Sequence, residues 1–145
     1  MIWFLLLAIL TGAILPVQAG VNSQLRGLLG HPVLAAAISF FVGTVALAAY
    51  AAVARVPLTA GALGRTQCRH WSGGLIGAFY VVCAIVLVPR LGAATLVAAV
   101  VAGQMVASLF LDHYGLVGYP RHSMDLWRVA GALLVMLGVF LIQRH

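Results

Sequence analysis

The stretch AILPVQAGVNSQLRG, Ala13 to Gly27, decides how the rest of the chain is read. It follows an apolar run, and the small residues ahead of Gly20 look like the cleavage region of a secretory leader. Read that way, everything before Gly20 would be removed. Read as the end of a membrane helix, the same residues place two amides, Gln18 and Asn22, one turn apart in an apolar segment. A leader wants a basic region at its start, and residues 1–12, MIWFLLLAILTG, contain no basic side chain. Four more apolar runs follow, so cleavage would still leave a membrane protein. The first run is therefore expected to remain as a helix.

Composition supports the same class for the whole chain. Of 145 residues, 64% are hydrophobic and 7% are charged, against about 25% charged in a soluble domain. Mean hydropathy is +1.14. Too few polar residues exist to clothe a soluble exterior, so an all-α membrane protein with the lipid bilayer as its surroundings is expected. The formal charge is +6, carried by eight arginines and no lysine. These arginines are scattered between apolar runs, where they meet headgroups and water. A nucleic-acid binder would gather them on one face, so no nucleic-acid partner is expected. Cys68 and Cys83 fall at different depths, which argues against a disulfide. No metal-type cysteine spacing occurs.

A membrane span needs about 20 mostly apolar residues. Five runs qualify, at about 2–21, 33–54, 71–88, 91–111 and 126–142, and together they make a single transmembrane domain over 1–145. Pro32 suits the first turn of the second helix, where a missing N–H costs nothing. Pro89 and Gly92 bracket a very short link between the third and fourth helices. The period-two alternation of a membrane barrel is missing. Arg55, Arg65, Arg69, Arg121 and Arg128 share the side of the N-terminus, and Arg26, Arg90 and Arg144 lie on the other. This weak positive-inside bias favours a cytoplasmic N-terminus and permits insertion in both orientations.

Polar groups inside spans need partners or a water-filled cavity. Gln18, Asn22 and Arg26 recur at i, i+4 and i+8 on one face of the first helix, behind Pro16. Gln104, Ser108 and Asp112 repeat the spacing on the fourth helix. Tyr80 lies mid-span and needs either a backbone partner or a cavity. These positions read as cavity candidates (Gln18, Asn22, Tyr80, Gln104, Ser108) and as ion-pair or coupling candidates (Arg26, Asp112). The plainer alternative is packing glue between helices. At a helix C-terminus the macrodipole disfavours an anion, so Asp112 should have a cationic partner such as His113 or an arginine. An interfacial ion pair closing the last two helices is favoured over proton coupling. Asp125 reads as an N-cap. Gly73 and Gly77, and Gly131 and Gly138, read as helix-packing positions, as do Ser39 and Gly43 beside Thr44. Trp71 reads as an interfacial anchor. No catalytic constellation, metal cluster or cofactor motif stands out. Asp112 and His113 are adjacent on a helix and cannot face one another, and His31, His70 and His122 fall in loops.

Three segments, PVQAGVNSQLRGLLGHPVLAAAISFFVGTVAL, GGLIGAFYVVCAIVLVPRLGAATLVAAVVAGQMVASLFLDHYGL and RVAGALLVMLGVFLI, resemble the YdcZ-like branch of the drug/metabolite transporter superfamily. The resemblance covers nearly the whole chain and implies a small inner-membrane transporter or exporter, a single five-helix repeat of that superfamily's fold. Larger relatives fuse two such repeats in opposite orientation, so the resemblance implies an antiparallel homodimer or a sister chain. It leaves the solute open. Small multidrug-resistance relatives carry a glutamate in the first helix that exchanges protons for cationic drugs. This chain has no glutamate, and amides occupy the equivalent polar face, which speaks against a copied proton and cationic-drug antiport. Amides suit neutral or zwitterionic solutes, and Arg26 suits an anionic group. The expectation is a transporter working by alternating access, with a non-transporting membrane subunit as the alternative and an enzyme as the weakest reading.

Overall fold

The computed structural model describes residues 2–57, 61 and 64–144. Five helices span most of these residues: α1 (Ile2–Leu29), α2 (Pro32–Val53), α3 (Cys68–Leu91), α4 (Ala93–Tyr114) and α5 (Leu126–Arg144). A 3-10 turn, Leu116–Gly118, follows α4, and no strand occurs among the described residues. All five helices are long and apolar enough to cross a membrane.

Burial shows which solvent the chain is made for. Among the described residues only Ala35, Ala36, Ala84, Ile85, Leu96, Leu109 and Ala132 are buried hydrophobics. Large apolar side chains such as Phe4, Leu47, Phe79, Leu134 and Leu141 point outward on every helix. Exposed apolar area on this scale would aggregate in water. In a bilayer it meets lipid tails, and the backbone polar groups are satisfied within each helix.

The ends of the helices follow local chemistry. α1 continues two turns past Val21, because the polar residues that end its apolar window still propagate a helix. Gly30 ends it at φ +75, a left-handed position that glycine adopts without strain, and its N–H bonds the Arg26 carbonyl at 2.8 Å. His31 then caps α2, its Nδ1 accepting from the Val33 N–H at 3.3 Å, with Pro32 in the first turn. α3 runs through Pro89 rather than ending before it, so a single residue, Gly92 at φ +78, separates α3 from α4.

The chain forms two compact units, Met1–Arg90 and Leu91–His145. In the first, Ala35, Ala36 and Ile85 make a small core of α2 and α3 residues, joined by Leu25 from α1 and by Val81 and Val82. Small residues on α2 let Ile85 reach complete burial. In the second unit α4 packs against α5. Gly115 turns the chain out of α4 in the left-handed conformation, where an added Cβ would stand 3.5 Å from the Tyr119 carbonyl oxygen and the Arg121 Cβ.

Four side-chain hydroxyls are satisfied within their own helices. Thr11 donates to the Leu7 carbonyl and Thr44 to the Phe40 carbonyl, both at 2.8 Å. Ser72 donates to Arg69 at 2.7 Å and Ser108 to Met105 at 2.9 Å. Such back-bonding is the usual way a hydroxyl is tolerated in a lipid-facing helix.

Candidate functional site

A niche of about 10 Å³ opens between α1 and α3, lined by Gln18, Asn22 and Tyr80 together with Leu15, Ala19, Val81 and Ala84. That is about the space of one water molecule. Pairing i with i+4 on α1 sets Gln18 above Asn22 on the face turned to α3. Asn22 is only 5% exposed, the one buried polar side chain among the described residues. Its amide makes no hydrogen bond there, yet every fully sealed side-chain nitrogen or oxygen has a partner. The amide must therefore retain its small exposure, and it does so on the niche it lines. The half-buried Tyr80 hydroxyl also has no hydrogen bond, and Tyr80 is among the residues lining the niche.

Gln18 belongs to a second, wider opening as well. A groove of about 260 Å³ is lined by Gln18, Ser39, Phe40, Gly43, Thr44 and Leu47. Sequence reasoning took Ser39, Gly43 and Thr44 for backbone-contact residues. Instead, no atom lies within 4 Å of where a Cβ on Gly43 would stand, and the groove occupies that space. The available signal was two hydroxyls flanking a glycine in an otherwise apolar helix.

Arg26, one turn beyond Asn22, has a partner that no side-chain motif announces. Its Nη1 donates to the backbone carbonyl of Ile85 on α3 at 3.4 Å. In a helix this carbonyl would accept from the N–H of residue 89, but residue 89 is proline. The guanidinium stands in for the missing donor next to a fully buried residue. The bond is long, but the carbonyl it serves has lost its helical partner. Pro16 removes the same kind of bond from the Gly12 carbonyl, and no described side chain donates to that one.

The second unit holds a separate polar knot. Asp112, at the end of α4, accepts from Arg128 Nη2 of α5 at 2.5 Å. Arg128 Nη1 donates to the His122 carbonyl at 3.4 Å, and the His122 N–H donates to the Asp112 carbonyl at 2.8 Å. Asp125 caps α5 by accepting from the Arg128 N–H at 2.8 Å. His113 is tied in through its ring and its carbonyl. Nδ1 accepts from the Met124 N–H, and the carbonyl accepts from Arg121 Nε, each at 3.1 Å. An arginine, not the adjacent His113, pairs with Asp112, and the pair closes α4 against α5.

The other candidates are placed as follows. Gln104 is exposed without a hydrogen bond, Ser108 is back-bonded, and neither is among the residues lining the niche. A Cβ added at Gly77 would stand 3.7 Å from the Phe40 ring of α2, an ordinary contact. Gly73, Gly131 and Gly138 have open space around them within their own units. Trp71 is exposed, and its Nε1 donates to Thr66 at 3.1 Å. Cys68 and Cys83 are free.

Comparison with known proteins adds a family to this geometry. The family described as "Putative inner membrane exporter, YdcZ" matches residues 3–141. The chain is also similar to "Inner membrane protein YdcZ" of Escherichia coli (strain K12), at 35% identity over 79 residues, covering 53% of this chain and 52% of that protein. The chain thus spans about half the length of the curated relative it matches. No solved structure matches the chain.

Proposed function

The chain belongs to the YdcZ family of integral inner-membrane proteins, and from that premise we propose that it exports a small solute by alternating access. Two five-helix chains in opposite orientation would face one another and form one working transmembrane domain, as inverted repeats do in many transporters. The observation that carries the reading is Asn22. A buried amide with no protein partner costs free energy in an apolar setting, and it is aimed at a niche shared with Tyr80 and Gln18. Packing glue would have found a partner on a neighbouring helix. Gln104 and Ser108 are the remaining lining candidates of the working domain, and Arg26 and Asp112 would each hold together the helices of its own unit.

Transport tests the lining directly. In proteoliposomes, Asn22→Leu and Gln104→Leu should each lower solute flux at least fivefold while the protein still folds. Normal flux in both variants would reject the lining. The non-transporting subunit draws support from the small size of the niche in one chain. It predicts no flux at all, together with loss of a partner protein when the chain is deleted.

Opposed orientation has its own readout. The five-to-three arginine split is weak enough for insertion both ways. Reporters fused at the C-terminus should therefore give signal on both sides of the membrane. Signal on one side alone would replace the antiparallel homodimer with a parallel assembly or a sister chain of opposite orientation.

A further inference from the structure

We propose that the α1–α3 niche and the α1–α2 groove form one bipartite site for a small uncharged solute. The solute's hydroxyl or carboxamide end enters the niche, and its apolar body lies in the groove. This rests on the transport-cavity reading above and adds to it the chemical class of the cargo.

The two spaces share Gln18 as a lining residue, and its amide makes no hydrogen bond. Their sizes differ in a useful way. At about 10 Å³ the niche admits one polar heavy atom, while about 260 Å³ in the groove accommodates a compact organic body. Their walls differ as well. Asn22 and Tyr80 face the niche, whereas Phe40 and Leu47 supply apolar surface to the groove.

Charge then narrows the class. The protein's acidic residues are Asp112 and Asp125, so the unit Met1–Arg90 contains no carboxylate at all. The formal charge next to the niche is positive. Arg26 follows Asn22 by one helical turn and bonds Ile85, the residue after the niche-lining Ala84. A cation there would lose its water, find no carboxylate within the unit and meet a guanidinium. An anion would find donors, but the Asn22 carbonyl oxygen would face it unpaired. An amide and a phenol each carry a donor and an acceptor. A neutral hydroxyl or carboxamide, carrying the same pair, satisfies them together.

Benzamide, benzamidinium and benzoate have nearly the same shape and differ in charge, so they isolate this term. Their dissociation constants follow from ligand-dependent thermal unfolding of the purified protein, since a bound ligand stabilises by mass action. Benzamide should bind at least tenfold more tightly than either ion. Asn22→Leu or Tyr80→Phe should weaken it at least fivefold, and Asn22→Asp should turn the preference to benzamidinium. Tyr80→Phe removes one hydroxyl and keeps the test open if Asn22→Leu does not fold. If an ion binds as tightly as benzamide and Asn22→Leu weakens all three, the uncharged class is overturned and the cavity stands. If none binds, or binding ignores both Asn22→Leu and Tyr80→Phe, the bipartite site and the cavity reading fall together.

Discussion

Replacing Arg128 with methionine is expected to lower the unfolding free energy by about 2 kcal/mol, discounted from the cost of stranding a fully buried charge. The discount follows from geometry, because the side chains of Arg128 and Asp112 keep 34% and 21% of their surface exposed. The substitution leaves Asp112 at a helix C-terminus, where the peptide dipoles already disfavour a negative charge. It also removes a donor from the His122 carbonyl and loosens the turn between α4 and α5. Adding Asp112→Asn to Arg128→Met should recover about half of the loss, since the neutral amide no longer needs a counter-charge. Unfolding in mixed micelles of rising SDS content measures both variants. A loss in the single variant within a few tenths of a kcal/mol of zero would mean that the pair contributes nothing to closing the hairpin.

The second large effect concerns Arg26 and Pro89, which are far apart in sequence and serve one carbonyl. Arg26→Met should cost about 1–2 kcal/mol, in the range of interhelical hydrogen bonds in membranes. Pro89→Ala supplies an N–H at position 89 and lets the Ile85 carbonyl bond within its own helix. In that background the cost of Arg26→Met should fall to a few tenths of a kcal/mol, giving a coupling of about 1 kcal/mol in the double-mutant cycle. Equal costs in both backgrounds would mean that Arg26 acts through something other than the proline-freed carbonyl.

These two pairs mark what the sequence makes legible. Five apolar runs become five helices, because hydrophobic length is a property each segment carries by itself. The Gln18–Asn22–Arg26 stripe is legible for the same reason, as it needs only the helical period. The need of Asp112 for a cationic partner follows from its place at a helix C-terminus. Whether His113 or an arginine answers it, and which arginine, depends on the fold of a turn. The Arg26 acceptor is harder to foresee, because it is a backbone atom and shows no residue type. Pro89 betrays that a carbonyl has been freed, but not which neighbour answers it. The groove was missed because Ser39, Gly43 and Thr44 suit close packing and an open wall equally well. Only the position of the neighbouring helix separates the two.

The back-bonded hydroxyls carry a consequence for the proposed pairing of copies. Thr11, Ser72 and Ser108 are exposed and keep their protons on their own helices, so these three hydroxyls show lipid no unmet donor. They therefore add no penalty that would force a solitary chain to associate at birth. Encounter between copies becomes a matter of areal density and lateral diffusion. For the proposed dimer, the fraction assembled should rise in proportion to surface concentration when copies are scarce and saturate as expression rises.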